Sequence, residues 1–234
     1  MIPRRQWESL GEVVLCSGFP TQLALSGAAL LVGLSPQTAS GGLSLAFVAA
    51  ISAADTVALV ALMLVLLRRR GESARRLFFG GRSQAREGAV GLLLAPAVLV
   101  FISTSIWLLR LLAPVLRTVP ENPLEALAAS PGNALVLAAV AVVAGGLREE
   151  MQRAFLLHRF RTDLGGAGRG VVLTSIAFGL GHILQGWDAV VVTALLGAFW
   201  GLLYLVRASI TASVVSHATA NAAQIAVAYL QRQV

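Results

Sequence analysis

The sequence contains no lysine, a single cysteine and little charge of either sign. Only 12% of its 234 residues are charged, against roughly 25% in an average soluble domain. Cys16 has no partner in the chain, which excludes a disulfide framework and a cysteine metal site. An HExxH pair is absent, as are internal repeats, low-complexity tails and the inverted-repeat pattern of many transporters. No stretch has ordinary soluble composition, so no separate soluble domain is expected.

What is present is apolar: 57% of the residues are hydrophobic. A soluble fold cannot hide that much surface, whereas a spanning helix needs about 20 mostly apolar residues. Six or seven such stretches occur, at about 10–35, 42–67, 89–114, from Asn133 through the RAFLLHRF segment, 170–186, 188–206 and 209–230. The expected fold is therefore all-α, a polytopic membrane bundle of about seven transmembrane helices. We divide it into residues 1–132, the N-terminal helices with a basic loop, and 133–234, a core, both within one membrane-embedded unit. Pro20 should kink or split the first span, and Pro96 lies within the third. The very short 186–188 connection predicts that the fifth and sixth spans form a tight hairpin. Gly197 and Gly201 stand at the GxxxG spacing that lets helices pack closely.

The net charge of +7 rests on 18 basic residues, all arginine, gathered between the apolar stretches and not along one face. That distribution speaks against nucleic acid and for the positive-inside rule. Seven arginines fall between Arg68 and residue 88, which places that loop and the N-terminus in the cytoplasm, with 115–132 outside. Arg4 and Arg5 are not followed by a short apolar core and a small-residue cleavage site, so the first span is expected to be retained. The arginine-only basic complement and high Ala, Leu, Val and Gly content fit a GC-rich bacterial genome, hence the cell (cytoplasmic) membrane.

An ionisable group at the centre of a membrane helix costs about 2.5–3.5 kcal/mol on insertion scales, so each one asks for a reason. The fourth span holds Arg148, Glu149, Glu150 and Arg153; later spans hold His182, His217 and Asn221. On a helix Arg153 reaches either carboxylate, at three or four residues' distance. His217 and Asn221 share a face one turn apart. These side-chain types suit hydrolysis. A carboxylate or imidazole takes a proton from water, a second imidazole holds that water, and an amide donates to the oxyanion. Glu149, His182 and His217 also form the usual donor set for a catalytic divalent ion, so zinc and metal-free hydrolysis both stay open.

At these residues the chain resembles the CAAX-protease and bacteriocin-processing (CPBP, or Abi) family of intramembrane proteases. Its pattern is EExxxR, then FxxxH, then HxxxN or HxxxD on successive helices. Phe178 to His182 and His217 to Asn221 match without gaps. The first motif is one residue short, with Met151 and Gln152 alone between Glu150 and Arg153. Glu149 matches a family glutamate in either register and is favoured as the base, with Glu150 the open alternative. The resemblance covers about residues 133–230. It implies a membrane protease in which a glutamate and His182 activate water, His217 and Asn221 stabilise the oxyanion, and the partners are a peptide or protein substrate and the lipid bilayer. The rival reading is a non-catalytic scaffold or immunity-type protein keeping the polar set for packing; a proton or solute pathway is a second. Convergence of the motif residues on one water-accessible cavity separates them.

Other residues are read as structural. Arg148, His158, Arg159 and Arg161 are expected at the membrane interface, as are Trp107, Trp187 and Trp200. Asp55, within the second span, is either a packing hydrogen bonder or a polar link to the core.

Overall fold

The computed structural model describes residues 3–233. The chain is all-helical, with no strand among the described residues. Helix α1 (Arg4–Leu15) meets α2 (Phe19–Leu31) at a 43° bend, and Pro20 occupies the first turn of α2, where its missing N–H is harmless. Ser44 caps α3 (Leu45–Arg69) by accepting from the Phe47 amide. The short α4 (Ala74–Phe79) interrupts the arginine-rich loop, and α5 (Gln84–Leu112) carries Pro96 internally.

After an irregular segment, α6 (Pro131–Val140) begins with Ser130 as cap and proline in its first turn. It widens into a π-helical stretch at Ala141–Arg148 and continues as α7 (Glu149–Asp163). Gly165 and Gly166, at φ +91° and +103°, then turn the chain into α8 (Ala167–Leu180). Helices α9 (Trp187–Arg207) and α10 (Thr211–Gln231) complete the bundle.

Among the described residues three helices, α3, α5 and α9, are long and apolar enough to cross a membrane, and a fourth span is added if α1 and α2 count as one bent crossing. The expected count of about seven is not reached on that measure. The shortfall lies where the polar motifs are: α7 carries the charged cluster, α8 has 14 residues, and α10 is diluted by Ser, Thr, His, Asn and Gln. The hairpin of α8 and α9 is as expected. A Cβ on Gly179 would lie 2.6 Å from the Val190 carbonyl, and one on Gly197 would lie 3.1 Å from Phe178, so the small residues set this close crossing.

The two ends of the bundle differ. At one end α1, the α3–α4 loop and the end of α7 are joined by ion pairs: Arg70 to Glu12 and Asp163 (both 2.9 Å), and Arg159 to Glu12 and to Glu72 (2.6 Å). Arg159 is fully buried there over Phe155, so it is a network centre and not the interface anchor expected, while Arg161 is exposed. Glu87 of α5 receives two hydrogen bonds from Arg207 of α9 at the same end. At the opposite end, Arg110 pairs with Asp188 (3.2 Å), Asn122 with Gln185 (3.2 Å), and Arg232 with Glu121.

Candidate functional site

The π-helical stretch positions the first part of the site. It contains Gly145 and Gly146, and both lie against α10: a Cβ on Gly145 would fall 2.6 Å from the Asn221 amide nitrogen, and one on Gly146 would fall 2.7 Å from the Ala218 Cβ. With no side chain in the way, the widened turn meets the face of α10 that bears His217 and Asn221. A single π turn shifts the helix register and is frequent at functional sites. Arg148, the last residue of the stretch, and Glu149 and Glu150, which follow it, point in different directions, as residues about 100° apart on a helix do.

Glu150 points inward and is 1% exposed. Its Oε1 pairs with Arg153 and accepts from His217 Nδ1 at 2.9 Å. Glu149 faces a cavity of about 650 Å³, with Oε2 3.9 Å from His217 Nε2 and Oε1 3.7 Å from Arg148. His182, His217 and Asn221 line the same cavity, whereas Glu150 and Arg153 stand behind its wall. Four of the six residues singled out from the motifs thus share one cavity, and the other two hold it from behind.

His182 is not on a helix as expected; it sits in the turn after α8. Its Nδ1 donates to the Phe178 carbonyl at 2.9 Å, extending the helical pattern by one residue. A carbonyl and a carboxylate accept hydrogen bonds, so both rings donate through Nδ1, and in the neutral tautomer this leaves the Nε2 lone pair free. Phe178 separates the two rings, edge-on to His182 at 4.9 Å and to His217 at 6.3 Å between centroids.

Two Nε2 lone pairs and a carboxylate are donors of the kind that a catalytic metal takes. Among the described residues, however, no three His, Cys, Asp or Glu side chains gather closely enough to hold an ion. The donors are of the right type and are not convergent, so the chemistry below is built from the chain's own groups.

Several residues expected elsewhere belong here. Arg148, placed at the interface by sequence reasoning, is buried at 7% exposure. It donates to Gln152 (2.9 Å) and lies 3.6 Å from Asp55. Asp55 accepts in turn from Thr21 (2.6 Å) and Gln22 (3.4 Å), which identifies it as a polar link from α2 and α3 to the site. Trp200 is likewise no interface residue: at 1% exposure it stacks on His217, centroids 3.7 Å apart, and donates to Ser216 (3.0 Å). The Arg153 guanidinium lies over the Phe178 ring at 4.7 Å. Trp200 was detectable as a large residue three positions after Gly197, on the side of α9 that carries the close-packing glycines, with Phe199 one position round the helix. Arg148 and Asp55 were detectable as a buried charge seeking its opposite, although nothing in the spacing paired them.

Residues 131–223 match the family described as Type II CAAX prenyl endopeptidase Rce1-like. No curated protein and no solved structure matches the chain at a significant level. The matched stretch begins at the first residue of α6, ends two residues beyond Asn221, and contains all six motif residues. Across these helices the chain is similar to the Rce1-like family of CAAX prenyl endopeptidases.

Proposed function

We propose that the protein is an intramembrane endopeptidase of the CAAX-processing type in which Glu149 is the base that activates water. The observation that carries this reading is the 3.9 Å gap between Glu149 Oε2 and His217 Nε2 on the wall of one cavity. Two acceptors at that separation suit a single water, which donates one proton to each and turns its lone pair toward a bound peptide carbonyl. As the oxygen attacks, its proton passes to Glu149, the carbonyl becomes an oxyanion, and the same proton is then delivered to the leaving amine. The Asn221 amide, which makes only a long 3.4 Å contact with the Ala141 carbonyl, is available to donate to that oxyanion. His182 Nε2 offers a second acceptor for water or for the peptide N–H.

Glu150, Arg153 and Trp200 are positioning residues. Glu150 fixes the His217 tautomer, Trp200 fixes its plane, and Arg153 balances the buried Glu150 charge. A scaffold that kept these groups for packing would have them satisfy one another. Glu149, His182 Nε2 and Asn221 instead retain open valences toward the cavity. The helices after residue 133 form the catalytic core, and those of 1–132 buttress it through Asp55.

The test uses purified protein in lipid nanodiscs with two quenched-fluorescence peptides, one farnesylated and one unlipidated, and mass spectrometry of the products. Glu149→Gln should lower cleavage by at least about 100-fold, the contribution of a general base, with an unchanged melting temperature. A variant that cleaves at the wild-type rate sinks the assignment.

A further inference from the structure

The cavity is closed toward one end of the bundle and open toward the other. Its floor is Glu149, His217 and Trp200, near the middle of the helices. From there its lining runs only one way: to Ile106 and Arg110 in the second half of α5, to Val48 and Ser52 at the start of α3, and to Asn122 and Glu125 of the segment between α5 and α6. On the other side of the floor, Met63, Leu67, Phe78, Phe155, Leu157 and Ile210 form a buried apolar plug. Tyr204 adds a hydrogen bond to the Leu77 carbonyl (3.1 Å) across it.

Charge divides along the same axis. Thirteen of the 18 arginines lie at the plugged end: Arg4, Arg5, the seven from Arg68 to Arg86, Arg159, Arg161, Arg169 and Arg207. Only Arg110, Arg117 and Arg232 lie at the open end, beside Glu121, Glu125 and Asp188. The remaining two, Arg148 and Arg153, are at the site. All connections are short, the condition under which the arginine bias sets orientation.

We infer that the cavity opens on the non-cytoplasmic face of the membrane and takes a polypeptide segment presented there, such as an exported peptide or the outer flank of a membrane-anchored chain. The plugged, arginine-rich end faces the cytoplasm. The nature of the substrate rests on the hydrolase reading above, narrowed to chains presented outside and excluding a lipidated tail held at the cytoplasmic face; the orientation of the opening does not rest on it.

The experiment is cysteine labelling of the full chain, with the buried Cys16 replaced by alanine and one cysteine introduced at a time. Glu125→Cys and Glu121→Cys report on the mouth, Gln224→Cys on the cavity wall beside Asn221, and Arg75→Cys on the arginine-rich loop. Right-side-out and inside-out vesicles from an expressing bacterial host are treated with a membrane-impermeant maleimide. Mouth and wall cysteines should label in right-side-out vesicles and Arg75→Cys only in inside-out ones. The reverse pattern, all positions labelling from one side, or Gln224→Cys reached only from the Arg75 side or not at all each overturns the inference. Two mouth positions keep the result readable if one variant fails to fold. Adding Glu149→Gln leaves labelling unchanged, so a failed hydrolase reading and a failed orientation register separately.

Discussion

Adjacent carboxylates with opposite environments make the sharpest residue-scale expectation. Glu150 is a buried charge balanced by Arg153 and by the His217 N–H. Removing one member of such a pair strands the other in an apolar setting and costs about 3–5 kcal/mol. Glu150→Gln should therefore lower the melting temperature and the folded yield in detergent, whereas Glu149→Gln should melt like wild type and lose only cleavage. Equal melting of both variants would contradict the division of roles. Spacing alone could not divide them, because Arg153 lies within helical reach of both carboxylates. What separates them is the roughly 100° between consecutive residues of a helix, whose direction relative to α10 depends on the register set by the π stretch upstream. Trp200 was hidden for a related reason: tryptophan in a membrane chain is enriched at the interface, and only the neighbouring glycines argue that it is inside.

At the scale of elements, α10 is gripped from two sides by glycines. A Cβ on Gly91 of α5 would lie 2.7 Å from the Ala212 carbonyl oxygen, and the π-stretch glycines meet the helix at Ala218 and Asn221. Gly146→Ala drives a methyl to 2.7 Å from the Ala218 Cβ and 3.1 Å from its Cα, where only backbone movement relieves the clash. It should destabilise by about 1–3 kcal/mol, read as a lower melting temperature. Gly145→Ala meets a side-chain terminus, the Asn221 amide, which can swing away. That variant should fold normally and cleave about 10²–10³-fold more slowly, the cost of losing an oxyanion donor. The apolar runs and prolines foretold the helices and their approximate bounds. They could not foretell the π stretch, whose residues read as ordinary apolar helix, nor that α8 stops short of His182, since Leu180 and Gly181 continue the apolar pattern.

At the scale of the whole molecule, the helices outside the matched stretch are joined to it by charges at the plugged end. Those pairings join residues as far apart in sequence as Ser9 and Asp163 or Glu12 and Arg159, which explains why a reading by local spacing missed them. Their pH dependence is accessible. Burial alone would raise the Glu72 carboxyl, but the hydrogen bond and charge of Arg159, with His158 beside it, hold it below the usual carboxylate range. Burial of Asp163 is likewise overridden by the Ser9 hydroxyl, Arg5 and Arg70. A carboxyl whose pKa is lower in the folded state contributes stability that is present above its unfolded pKa and is lost as pH falls through the folded value. The melting temperature should therefore hold from neutral pH down to about 5 and then fall as these carboxylates protonate. Arg159→Gln removes the largest attraction opposing the burial of Glu72, so its folded pKa rises toward or above the unfolded one. The variant should melt lower at pH 7 and lose less on further acidification, so that the two melting curves converge at low pH. A constant difference between them across the pH series would mean that Arg159 stabilises the fold by packing over Phe155 and not through its charge.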